Sequence, residues 1–124
     1  MAYHEDFHRE LGRALAVAPA RRALARCPVL SLPDNKLIPD ARWILGEGSR
    51  VSVIARSQAS ARAAAGDPGL QRRLARGSVA VFPLGAAVFF EAIVDPGDDP
   101  RSQVPEPGFH RIYANALYSV YANC

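Results

Sequence analysis

The sequence predicts a small single α+β domain, with an antiparallel or mixed sheet of about four strands from two hairpins, packed with N-terminal, central and C-terminal helices. Three observations predict it. Ser78 to Val94, SVAVFPLGAAVFFEAIV, is the longest run of strand-forming apolar residues in the chain. Val79, Val81, Phe82, Val88, Phe89, Phe90, Ile93 and Val94 within it are β-branched or aromatic, the types that pack best on a pleated surface. Toward the N-terminus apolar residues recur instead at helical spacing, and Pro, Gly, Asn and Asp divide the chain into short segments.

Taken in order, Glu5 to Val17 has a helical pattern, with Phe7, Leu11, Ala14, Leu15 and Ala18 at three- and four-residue spacing. Pro19 lacks the amide a continuing helix needs, so a break is expected, with a second short helix from Ala20 to Arg26 ended by Pro28. Val29 to Leu32 fits a short extended piece, Leu32-Pro33-Asp34-Asn35 a turn, and Ile38-Pro39 more extended chain. Arg42 to Leu45 and Arg50 to Ala55 read as a hairpin across Gly46-Glu47-Gly48-Ser49, setting Trp43 and Leu45 against Val51 and Val53. Ser57 suits the N-cap of a helix to Ala65, with Gly66 after its end. Asp67-Pro68 opens another helix that Gly77 closes, with Leu70 and Leu74 inward.

The central hairpin follows, Ser78–Phe82 against Ala86–Val94 across Pro83-Leu84-Gly85. Its second arm is apolar on both faces except at Glu91. Such a strand is either central in a sheet covered twice or covered once by another subunit. Residues 95–108, DPGDDPRSQVPEPG, form a projecting loop rich in proline and aspartate. Beyond it Ile112, Tyr113, Ala116, Leu117, Val120 and Tyr121 form a helical stripe, although the same tyrosines and valine also suit a strand.

A chain of 124 residues is large enough to bury roughly two-thirds of its unfolded surface, so one domain needs neither metal nor disulfide to hold together. No apolar run is long enough to span a bilayer, and MAYHEDFHRE lacks the basic start and apolar centre of a signal peptide. A cytoplasmic protein, or one assembled in a particle, is expected. The two cysteines fit that expectation: far apart in sequence and without CxxC spacing, Cys27 reads as a small buried residue and Cys124 as an untied thiol. Charge is unevenly laid out. Arg9 to Arg76 holds thirteen Lys or Arg against five Asp or Glu, whereas Gly77 to Cys124 holds two against five. The chain is thus a basic body with an acidic C-terminal third.

Three patterns carry possible chemistry. His4-Glu5-Asp6-Phe7-His8 matches HExxH, which on a helix sets two imidazoles one turn apart on Zn²⁺ with a glutamate to deprotonate the bound water. The five residues resemble the zincin metallopeptidase motif; that resemblance implies His4 and His8 as metal ligands and Glu5 as general base. Equally, the acids suit the positive end of a helix with both histidines solvated. Arg21, Arg22 and Arg26 with Arg72, Arg73 and Arg76 would neutralise nucleic-acid phosphates if their two helices lay side by side. No aromatic interleaving or zinc finger accompanies them. Finally, the acidic Asp95, Asp98, Asp99 and Glu106 complement the basic body in a head-to-tail sense, next to Phe89, Phe90, Tyr113 and Tyr121.

Motifs for a serine nucleophile, a P-loop, a Rossmann turn and an EF-hand are absent. The expected function is therefore non-catalytic: a protein-binding, homo-oligomeric subunit of a larger assembly, the kind of part phage particles use, with no cofactor and no membrane partner. Arginine-mediated nucleic-acid binding and an HExxH zinc hydrolase are the alternatives.

Overall fold

The computed structural model describes residues 2–56, 66–89, 105 and 107–124. The helix expected from Ser57 to Ala65, the strand beyond Phe89 and most of the 95–108 loop lie outside the described residues. Helix α1, Ala2–Ala16, buries Phe7, Leu11, Ala14 and Leu15 along the stripe its spacing implies. Pro19 then lies in the first turn of α2, Ala18–Arg26, where a missing amide removes no hydrogen bond. Ala20, Ala23 and Leu24 face inward from α2. Strand β1, Val29–Leu32, is buried throughout.

The next stretch departs from expectation. Instead of extended chain and a hairpin arm, a 3₁₀ turn at Asn35–Leu37 runs into helix α3, Ile38–Leu45. Asp34 starts it, its Oδ1 accepting the amides of Lys36 at 2.6 Å and Leu37 at 3.2 Å. Pro39 falls in the first helical turn, a place it tolerates as well as extended chain, which is why Ile38-Pro39 alone misleads. Gly46, at φ 84, ends α3. Ser52–Ala55 is strand β2, pairing with β1 and not with 42–45.

Helix α4, Pro68–Ala75, matches its boundary signals closely, although Leu70 and Leu74 are only half-buried. The Asp67 side chain accepts the Leu70 amide, Pro68 takes the first turn and Gly77 follows at φ 118. Strand β3, Val79–Pro83, is the first arm of the expected central hairpin, but its second arm is not a strand where described: residues 86–89 are helical. The Pro83-Leu84-Gly85 turn winds on instead of reversing, with Ala87 and Val88 amides donating to Leu84 and Gly85 carbonyls. The C-terminal stripe is likewise a hairpin and not a helix: β4, His110–Ala114, and β5, Tyr118–Ala122.

Asn115 makes that hairpin possible. Its Oδ1 accepts the Leu117 and Tyr118 amides at 3.0 and 2.9 Å, and its Nδ2 donates to the Glu10 carbonyl of α1 at 2.9 Å. Asn115→Ala is expected to destabilise the protein by about 2 kcal/mol, because three bonds and the turn are lost together. A denaturation midpoint unchanged from wild type would refute that role.

The strands form one five-stranded mixed sheet in the order β2-β1-β3-β5-β4, with β1 parallel to β2 and β3, and β5 antiparallel to β3 and β4. Alternation sends Leu30, Leu32, Val79, Val81, Tyr118, Val120 and Ala122 toward α1, α2 and α3, where the core lies. Val29, Ser31, Ala80, Phe82 and Ser119 point the other way and are buried too. The doubly covered strands are therefore β1 and β3, shielded within the chain itself.

In-register Leu30, Val79 and Ala122 put the start of β1 and the end of β5 at the same end of the sheet, separated only by β3. Cys27 precedes β1, Cys124 follows β5, and the two form a disulfide across a sequence separation of 97 with Cα atoms 6.5 Å apart. The reading of Cys124 as an untied thiol is thereby corrected, since distance along the chain says nothing of distance across a sheet.

Candidate interaction surface

Two large apolar side chains stand open to solvent among the described residues: Trp43 is 79% exposed and Phe89 75%. Trp43 owes this to the helical turn of α3. Ala41 is buried and Ile44 and Leu45 half-buried, so Trp43 points outward one turn after Pro39, which is also exposed. Read as a strand, the same segment put Trp43 inward; the helical turn places it outward instead. Phe89 is the last described residue of the helical stretch 86–89, where Ala87 is the buried member.

Of the other residues expected at an interface, Tyr113 and Tyr121 are half-buried on β4 and β5. Tyr121 packs its ring edge-to-face on Phe82, centroids 5.4 Å apart, so much of it serves its own fold. Phe90, Asp95, Asp98, Asp99 and Glu106 lie outside the described residues.

The arginines expected to meet phosphates are all exposed, Arg21, Arg22 and Arg26 on α2, and Arg72, Arg73 and Arg76 on or just after α4. Their helices pack differently. Helix α2 lies against α1, β3 and β4, whereas α4 lies against β1. Helix α3 packs with α1, as α2 does, and no packing of α4 on any of these three helices is found among the described residues. The side-by-side placement that would join the two arginine groups is not formed.

His4 and His8 both fall in α1. His8 Nδ1 lies 3.6 Å from Asp40 Oδ1, which joins α1 to α3. Among the described residues, no group of three or more His, Cys, Asp or Glu gathers closely enough to hold a metal ion.

One polar arrangement was not legible in the sequence. Strands β1 and β3 pair only through Leu30 with Val79 and Ser31 with Ala80. Beyond these pairs the guanidinium of Arg56, just past β2, bridges them. Nη1 donates to the Ser31 carbonyl at 2.8 Å and to Ser31 Oγ at 2.7 Å, and Nη2 donates to the Val81 carbonyl. The same cation stacks 4.2 Å from the centre of the Phe82 ring. A side chain from the end of β2 thus supplies donors to backbone carbonyls of both β1 and β3.

No protein-family model, curated protein or solved structure matches this chain.

Proposed function

We propose that the protein works by protein–protein contact, as a homo-oligomeric subunit of a larger assembly and not as an enzyme. Trp43 carries the reading. Tryptophan is the residue type most often found at the energetic centre of an interface, and leaving one this exposed on a rigid helix is unfavourable unless a partner covers it. Phe89 adds a second uncovered aromatic. The doubly apolar arm Ala86–Val94 does not contribute to the case, because its described part, 86–89, is helical. The uneven charge layout still favours head-to-tail contact between copies, which salt would weaken.

The disulfide bears on where such an assembly works. A bond joining the end of the chain to α2 persists in oxidising surroundings, so we place the protein in an oxidising compartment or on an assembled particle in preference to reducing cytoplasm. No described helix is long and apolar enough to cross a membrane.

Trp43 is the sole tryptophan, so its fluorescence reports directly on the proposed contact. With rising protein concentration its emission is expected to shift to the blue as light scattering shows a species larger than the monomer. Trp43→Asp should leave a folded monomer. A wild-type chain that stays monomeric at high concentration and low salt, with fully solvated tryptophan emission, would end the proposal.

A further inference from the structure

We propose that a groove between α2, the end of α3 and the approach to β2 binds a small amphiphilic anion, an aliphatic chain ending in a carboxylate. The groove is open to solvent and offers about 460 Å³, within the usual range for small-molecule sites. Leu15, Leu24, Leu45 and Val51 supply an apolar floor, continuous with the core through Leu15 and Leu24. The polar groups lining it are of one sign: Arg21 on α2 and Arg50 on the segment before β2. Among the described residues no acidic side chain lines it, and neither guanidinium has a hydrogen bond or ion pair.

Apolar floor and cationic rim together select the ligand. A neutral aliphatic molecule would use only the floor, and a bare inorganic anion only the rim, where water competes well. A monocarboxylate with a flexible hydrocarbon chain uses both, and two guanidinium forks suit the flat, two-oxygen geometry of a carboxylate. The site draws on residues apart from Trp43 and Phe89, so it stands or falls independently of the assembly reading.

Titration with monomeric decanoate, followed by calorimetry and by amide shifts at Leu24, Ala25 and Val51, tests the proposal on the full oxidised chain. Decanoate is expected to bind roughly tenfold or more tightly than decanol, the difference of one charge-assisted contact. Arg21→Glu with Arg50→Glu should erase that preference. Ala25 is an exposed wall residue, so Ala25→Phe should block binding of both ligands while circular dichroism shows an unchanged fold. Equal affinity for decanoate and decanol, binding that survives both variants, or no binding of monomeric decanoate would overturn it. Adsorption to phosphatidylglycerol vesicles without binding of free decanoate would also overturn it, by assigning the arginines to a lipid surface.

Discussion

Cys124→Ser is expected to lower the unfolding free energy by roughly 4 kcal/mol, and reduction of the wild-type chain by a similar amount. The size follows from the length of chain the bond closes. A cross-link across 97 residues removes a large share of the unfolded chain's conformations, about 4.7 kcal/mol in the loop-entropy treatment, with observed losses of about 2 to 5 kcal/mol. Local structure makes the native end well suited to it. Asn123 accepts the Gly77 and Ser78 amides at 2.8 and 2.6 Å and donates to the Leu74 carbonyl at 3.1 Å, so the residue before Cys124 is already held by α4 and β3. The bond therefore constrains the unfolded state more than it orders the folded one. Urea titrations with and without reductant measure the difference. Identical midpoints, or mass spectrometry showing two free thiols in oxidised protein, would refute the cross-link.

Arg56→Ala should cost about 3 kcal/mol, the second large effect. Three acceptors on Ser31 and Val81 lose a charged donor at once, and Phe82 loses the cation stacked on its ring. A bare carbonyl left at the β1–β3 divergence is the dominant penalty, since desolvated acceptors without donors are costly. Arg56→Lys restores the charge but not the fork that spans two strands, and should recover less than half of the loss. If lysine recovers everything, charge alone matters and the bridging geometry is incidental. Hydrogen exchange gives a second readout, with protection expected to fall first at the ends of β1 and β3.

Local chemistry made several elements legible from residues alone. Asp67, Pro68 and Gly77 bound α4 because a cap acceptor, a residue with no amide to lose and a residue free to take positive φ each act within one helical turn of it. Pro19 separates α1 from α2 for the same reason, and the four buried residues of α1 follow from helical period. The HEDFH and arginine patterns were equally visible as patterns, but their partners depend on which elements pack together. Arg21 was visible as a charge, yet only its meeting with Arg50 across α2 and the approach to β2 makes a groove.

What the sequence determined by itself is the α+β class, the two N-terminal helices, β1, α4, β3 and the absence of any long apolar span. Tertiary structure alone decided strand partners, the helical state of residues 38–45 and 86–89, the β4–β5 hairpin and the cysteine pair. Apolar β-branched and aromatic runs satisfy helix and strand alike over eight residues, so which one forms depends on the surface available to cover them. Here β3 took β1 and β5 as neighbours, not the residues that follow it, and that choice brought Cys27 to Cys124.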